Sequence, residues 1–189
     1  MTGGISGQAD GGRAIRVLVT AASRHGSTTG IARAIGEELA RHGLTPVVMA
    51  PEEVGSIAQF DAVILGSAVY GGHWLEPATE LVTRFAAALT ERPLWLFSSG
   101  PVGDPSRKLV RSMGQDPAGL PRLLAATHAR GHQMFAGKLD HRNLGFAQRV
   151  SLRLLRGLEG DFRDWTAIRE WAADIAGQLA APGALRAAG

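Results

Sequence analysis

The sequence predicts an α/β fold of three layers, in which helices cover both faces of a five-stranded parallel sheet. Apolar strand-like runs alternate with amphipathic helical segments along the chain, and the runs are continuously apolar. Continuous apolar runs are typical of strands that are buried on both faces of a parallel sheet. The 189 residues suit one domain with a sizeable core. Five strands fit the doubly wound order 2-1-3-4-5, in which ligands bind beyond the carboxyl ends of the strands.

The strands are predicted from short runs rich in apolar and β-branched residues, bounded by turn-forming residues. They cover Ile15–Thr20, Thr45–Met49, Asp61–Gly66, Pro93–Ser98 and Gln133–Gly137. Since helical segments separate these runs, neighbouring strands can be joined by crossover connections, as a parallel sheet requires.

The helices are predicted from apolar residues that recur every three to four positions. In the first helix, Ile31, Ile35 and Leu39 share one face, and His42-Gly43 supplies a stop signal. The predicted helices cover Ser27–Arg41, Leu75–Leu89, Ser106–Ala126 with a break at Gly114–Pro117, Phe146–Leu158 and Trp165–Leu179.

We expect a single domain at residues 14–181, a flexible N-terminus at 1–13 and a flexible tail at 182–189. The glycine-rich first residues do not resemble a secretory signal, and no apolar run reaches the roughly 20 residues that span a bilayer. The absence of cysteine excludes disulfides, thiolate nucleophiles and cysteine-based metal sites. These features predict a cytoplasmic protein.

The chain is basic, with a formal net charge of +3 and a pI of about 10.1. A mildly basic surface and an anionic partner, such as a carboxylated substrate or a lipid surface, explain this charge about equally well. No segment of the sequence indicates a nucleic-acid module.

The turn after the first strand combines features of an anion site directly before a helix. Hydroxyl donors and a glycine precede the helix, where free backbone N–H groups and the helix dipole favour negative charge. Helix capping would explain one of the hydroxyl groups but not the whole set. The predicted phosphate loop comprises Ser23, Arg24, His25, Gly26, Ser27 and Thr28.

The sequence lacks the motifs of other phosphate-binding, catalytic and metal sites. The turn has no dinucleotide G-x-G-x-x-G, no P-loop lysine motif and no acidic residues of the receiver-domain type. Paired carboxylates, a Ser-His-Asp arrangement and metal-ligand spacing are also absent from the sequence. We therefore predict no metal site, and no side chain is identified as catalytic.

The run from Ile15 to Thr28 resembles the phosphate loop of flavodoxins, which bind flavin mononucleotide (FMN) without a metal. The resemblance implies a flavodoxin-like fold with noncovalent FMN. It assigns the loop after the third strand to the ribityl chain and the flavin ring, with Tyr70 or Trp74 stacking on that ring. The further FMN-binding residues that it implies are Ser67, Ala68, Val69, Tyr70, Gly71, Gly72, Trp74, Ser98, Ser99, Gly100, Pro101, Gly103 and Asp104.

The C-terminal half resembles the menaquinone-dependent protoporphyrinogen dehydrogenases of haem biosynthesis. The resemblance rests on Phe135-Ala136-Gly137, a basic helix and the run Gly160–Trp165, within a similarity over roughly residues 15–180. It implies an oxidoreductase that passes electrons from a porphyrinogen to a quinone. The sequence departs from that family at Tyr70-Gly71, where the family tends to carry an Arg-Tyr pair before Gly-His, so the substrate stays open.

A basic face is predicted on the helix Phe146–Leu158, because Arg149, Arg153 and Arg156 have i, i+4 and i+7 spacing. It could lie against an anionic membrane, where a quinone resides, as a peripheral contact. A solvated outer face explains the same spacing and is the simpler interpretation.

Two other functions remain open. A flavodoxin that carries electrons between redox partner proteins is one, although such carriers are typically acidic and this chain is basic. A flavodoxin-fold binding module without a cofactor is the other, and the hydroxyl-rich loop argues against it.

Overall fold

The computed structural model describes residues 13–100, 117–139 and 160–185. Its strands are β1 (Arg16–Ala22), β2 (Thr45–Met49), β3 (Ala62–Tyr70), β4 (His73–Trp74), β5 (Leu94–Ser99), β6 (Gly131–Phe135), β7 (Lys138–Leu139) and β8 (Gly160–Asp161). Its α-helices are α1 (Ser27–Arg41), α2 (Glu76–Arg84), α3 (Ala86–Thr90), α4 (Leu120–Thr127) and α5 (Trp165–Ala180), and Pro51–Glu53 form one 3-10 turn.

The predicted fold class is confirmed. Five parallel strands are hydrogen-bonded in the order β2-β1-β3-β5-β6, which is 2-1-3-4-5 when the parallel strands are counted along the chain. Strand β4 pairs antiparallel with β3, and β7 pairs with β8 in a separate two-stranded ladder. The carboxyl ends of β1, β3 and β5 lie side by side because Ala22 pairs with Ser67, which pairs with Ser98.

Helices cover the sheet on both faces. Val17, Val19 and Ala21 of β1 belong to the core cluster that includes buried residues of α1 and α5. Leu18 and Ala22 belong to the cluster that includes α2, α3 and α4. Since side chains alternate along a strand, Thr20 faces the second cluster, on the side of the sheet away from α1.

The loop that the resemblance implies after the third strand, Gly66–Trp74, is wrong in its first half. Strand β3 continues to Tyr70 and turns into β4 through Gly71-Gly72, whose φ angles are +58° and +79°. A two-residue turn with positive φ at both positions matches the twist of a hairpin, and glycine adopts it without strain. The site residues Ser67, Ala68, Val69 and Tyr70 therefore lie in a strand, and Trp74 lies in its antiparallel partner.

Two further boundaries differ from prediction. The helix predicted at Leu75–Leu89 is two helices, with a break at Phe85. Leu81 and Leu89 would lie about 80° apart around one straight helix, and the break lets both reach the core. The last parallel strand lies two residues earlier than predicted, because pairing with β5 runs from Gly131 to Phe135.

The first and last long helices agree closely with prediction, and β1 extends two residues beyond it. The predicted helix Phe146–Leu158 lies outside the described residues, as does most of the segment Ser106–Pro117. Near the C-terminus, residues 182–185 form turns, and Arg130 Nη2 donates to the Ala184 carbonyl at 2.6 Å.

Candidate functional site

The N-terminus of α1 lies at the carboxyl end of β1 and opens on a glycine. Gly26 is the N-cap residue, with φ +77°, and it has no side chain that could accept a helix N–H. The Gly30 amide donates to the Gly26 carbonyl at 2.9 Å and closes the first turn. No acidic residue lies in that turn. The N–H groups at the start of a helix have no partner within the helix, so this end suits an anion.

Thr28 lies in that first turn and is 1% exposed. Within the described part of the chain its Oγ1 is buried without a hydrogen-bond partner. Leaving a buried hydroxyl unsatisfied costs roughly 1–3 kcal/mol, which a bound acceptor would recover. A phosphate oxygen is such an acceptor. The residues present therefore fit a phosphate group at this helix end.

The rest of the predicted phosphate loop is accessible. Arg24, His25 and Gly26 are exposed, and Ser23 and Ser27 are half-buried. The loop therefore exposes a cationic side chain, Arg24, beside two partly exposed serines.

The phosphate loop meets Tyr70 at the end of β3. The Arg24 guanidinium carbon lies 4.9 Å from the centroid of the Tyr70 ring. The His25 ring stands edge-on to Tyr70, with 6.4 Å between centroids. Burial raises the pKa of the Tyr70 hydroxyl, and the nearby Arg24 charge opposes that rise. The structure thus brings together residues from two of the three predicted loops.

Trp74 points away from that cluster. Its Nε1 donates to Ser98 Oγ at 2.8 Å, and Ser98 Oγ also bonds His132 Nε2 at 2.8 Å. The Trp74 side chain packs against the second core cluster, with α2 and α4. Of the two aromatic residues predicted to stack on a flavin ring, Tyr70 is therefore the one presented beside the phosphate loop.

The hydroxyl of Ser67 serves the scaffold. Ser67 Oγ accepts from the Leu75 amide at 2.9 Å and donates to the Ala68 carbonyl at 2.9 Å. Ser67 and Ser98 are both completely buried, so neither residue is exposed at the surface of the described structure. Their hydroxyl groups hold the hairpin and α2, and their contact with FMN stays a prediction.

The third predicted FMN-binding segment, Ser98–Asp104, is described only as far as Gly100. Ser99 is buried at the end of β5, and the Gly100 amide donates to the Phe135 carbonyl at 3.0 Å. Pro101, Gly103 and Asp104 lie outside the described residues. Ala68 is buried and Val69 half-buried, whereas Gly71 and Gly72 are exposed. The hairpin is held to the start of α4 by a 2.7 Å bond from the Ala118 amide to the Gly72 carbonyl.

A small cavity of about 130 Å³ lies under this hairpin. His73 and Trp74 line it on one side, and Thr79, residues 117–120 and Leu123 line the rest. Drug-sized ligand pockets are usually about 300–1,000 Å³. The volume of this cavity lies below that range.

Arg163 was missed by sequence reasoning, although it lies against the first turn of α1. Its Nη1 donates to the Ser27 carbonyl at 3.4 Å, and its Nε donates to Asp161 Oδ1 at 2.7 Å. Its guanidinium carbon lies 4.3 Å from the centroid of the Trp165 ring. No local pattern could reveal this contact, because 136 residues separate Arg163 from Ser27.

Metal-binding clusters and membrane-spanning helices are both absent from the described residues. No group of three or more His, Asp or Glu residues among them could hold a metal ion. Within the same described ranges, no helix is both long and apolar enough to cross a membrane.

Solved structures that resemble this chain include two flavodoxins. An archaeal flavodoxin matches with a TM-score of 0.58 and 13% identity, covering 87% of this chain and 99% of that one. A Streptococcus pneumoniae TIGR4 flavodoxin matches with a TM-score of 0.52 and 18% identity, covering 86% and 99%. At these identities the likeness shows the fold alone.

A rubredoxin oxygen:oxidoreductase from Desulfovibrio gigas matches with a TM-score of 0.59 and 16% identity, over 87% of this chain but 36% of that one. A comparison with curated protein sequences found no match. The model of the flavodoxin domain family matches residues 18–166, which include both the phosphate loop and Tyr70. The chain belongs to the flavodoxin domain family.

Proposed function

We propose that this chain binds FMN noncovalently and works as an FMN-dependent oxidoreductase. The observation that carries the proposal is the buried Thr28 hydroxyl, which has no partner among the described residues and lies in the first turn of a helix with Gly26 as its N-cap. A phosphate monoester would accept from that hydroxyl and from backbone N–H groups at the helix start. Ser23, Ser27 and Arg24 supply further donors at the loop.

The proposal places the flavin ring beside Tyr70. This tyrosine ends β3 next to the phosphate loop, and Arg24 and His25 already contact its ring. Aromatic side chains stack well on flat conjugated rings. The exposed backbone of Gly71 and Gly72 lets a ring approach closely. When bound, FMN would supply the redox chemistry, while these residues bind, orient and partly shield it.

The substrate we propose is a porphyrinogen, oxidised with a quinone as acceptor. This finer assignment is supported by the sequence resemblance to the menaquinone-dependent protoporphyrinogen dehydrogenases, including the run Gly160–Trp165. The basic character of the chain suits an anionic, carboxylated substrate. Arg149, Arg153 and Arg156, the proposed peripheral membrane contact, lie outside the described residues.

An electron carrier is the second candidate. It is supported by the fold, which the chain shares with two flavodoxins over 99% of their length. The net charge of +3 argues against it if the partner is basic, because like charges slow association.

Colour and turnover separate these candidates. We expect the purified full chain to be yellow, or to become yellow with FMN, and to oxidise protoporphyrinogen with a menaquinone analogue. The fluorescence of the porphyrin product measures that oxidation. A yellow protein without porphyrinogen turnover, but with rapid electron exchange with a redox protein, would support the carrier. A chain that stays colourless in FMN would contradict both.

A further inference from the structure

Arg163 occupies an unusual position for a cation. Its side chain is 12% exposed and lies against the first turn of α1, whose positive dipole end disfavours a neighbouring positive charge. No acidic residue of that turn offsets the charge. A bound anion at the helix end would make the position of the guanidinium electrostatically favourable, because the two opposite charges attract each other.

Gly30 makes this position accessible. A Cβ atom at Gly30 would fall 2.5 Å from Arg163 Nη1 and 3.9 Å from the Trp165 ring, so any side chain there would displace the guanidinium. Residues 27–30 span about 4.5 Å of helix axis, so the guanidinium lies within about one turn of the start of α1. That separation is shorter than the Debye length of about 10 Å at 0.1 M salt.

Asp161 fixes the orientation of the guanidinium. Its carboxylate accepts from Arg163 Nε and Nη2, which leaves Nη1 directed at the Ser27 carbonyl. The Asp161 side chain is 37% exposed, so it lies nearer solvent than the arginine. The ion pair therefore holds the guanidinium against the first turn of α1.

We propose that Arg163 is a positioning and specificity residue for the phosphate of the cofactor, held by Asp161 and Gly30. This inference rests on the proposed FMN site and deepens it. Arg163 favours flavins that carry a terminal phosphate over those that lack it. It also ties the C-terminal segment before α5 to the phosphate loop.

The test compares the binding of FMN and riboflavin to the full-length chain, because the two flavins differ only in the phosphate. Arg163→Gln should weaken FMN binding about three- to tenfold and leave riboflavin binding within about twofold. The difference should shrink in 1 M salt, where the Debye length is about 3 Å. Asp161→Asn loosens the hold on the guanidinium, so it should weaken FMN binding in the same selective way but less than Arg163→Gln.

Gly30→Ala tests the position of the Arg163 guanidinium separately from the stability of the fold. It should weaken FMN binding in the same selective way, while the stability of the apoprotein is kept or rises, because alanine favours a helix. Equal losses for FMN and riboflavin in Arg163→Gln and Gly30→Ala would overturn the inference and leave the FMN site intact. A wild-type chain that binds neither flavin would instead overturn the proposed function itself.

Discussion

The two long helices α1 and α5 pack on the same face of the sheet and begin in opposite ways. Helix α5 begins at Asp164, whose carboxylate accepts from the Ala167 amide at 3.0 Å. Helix α1 has Gly26 as its N-cap, and the buried Thr28 hydroxyl in its first turn has no partner among the residues that the structure describes. Helix α5 has a side-chain cap, whereas α1 has none and leaves the Thr28 hydroxyl unsatisfied among the described residues. Under the proposed function, this difference separates a structural helix start from a phosphate site.

The largest expected effect comes from Thr28→Val, which removes the hydroxyl and keeps the shape. Hydrogen bonds to charged groups contribute about 1.5–3 kcal/mol, so FMN binding should weaken roughly 10- to 100-fold. The apoprotein should become more stable by about 1 kcal/mol, because an unsatisfied buried hydroxyl is removed. Flavin fluorescence titration and urea unfolding measure the two effects.

Thr20→Val is the matched control. Thr20 is also completely buried, and its Oγ1 also has no partner within the described residues, but it faces the other side of the sheet. We expect the same gain in stability without a change in FMN binding. Equal loss of FMN binding in the two variants would show that the Thr28 hydroxyl does not bind FMN specifically.

The two ends of α1 offer a second comparison. Gly26 and Gly43 have φ angles of +77° and +80°, and a Cβ atom would meet nothing within 4 Å at either position. Replacing either glycine by alanine should therefore cost about 1 kcal/mol of stability through backbone strain alone. Only Gly26→Ala should also weaken FMN binding, because only that glycine shapes the phosphate loop. Thermal unfolding with and without FMN measures both effects.

Asp164→Ala tests the capped helix. Loss of an N-cap side chain typically costs about 1 kcal/mol, so urea unfolding should show a drop of that size. The FMN affinity should stay within about twofold, since the capped end of α5 binds no ligand in this account. A large loss of FMN affinity in this variant would mean that α5, too, contributes to the cofactor site.

The smallest effect concerns Tyr70, the only tyrosine in the chain, so that tyrosinate absorbance reports this residue alone. Burial raises its pKa above the ordinary value of 10.0, and Arg24 opposes the rise. Arg24→Gln should therefore shift the titration to higher pH. Since the folded state holds the proton more tightly than the unfolded state, the contribution of Tyr70 to stability should fall as pH rises above about 10. A titration shifted to lower pH would contradict the assigned contacts.

The fold could be predicted because its signals are local. Continuous apolar runs and helical spacing identified β2 and α1 correctly, and the loop between β1 and α1 was recognised from its hydroxyls and glycine. The hairpin at Gly71-Gly72 was missed, although a Gly-Gly pair is a hairpin signal, because the glycines were interpreted as part of a ligand loop.

The site could be predicted only in part, because some of its contacts join distant segments. The bond between Trp74 and Ser98 decides which aromatic residue faces the phosphate loop, and no spacing in the sequence indicates it. The contact of Arg163 with Ser27 is likewise a product of α5 packing on α1. Such choices depend on tertiary packing rather than on residue type.

The most direct test is a titration of the full-length apoprotein with FMN and with riboflavin, in which quenching of flavin fluorescence measures binding. In this account the Thr28 hydroxyl and backbone N–H groups at the start of α1 bind the phosphate. FMN should therefore bind at least about 100-fold more tightly than riboflavin, as several charge-assisted hydrogen bonds would give. Equal binding of the two flavins would contradict a phosphate site at α1. The absence of binding to either would contradict the assignment of FMN as the cofactor.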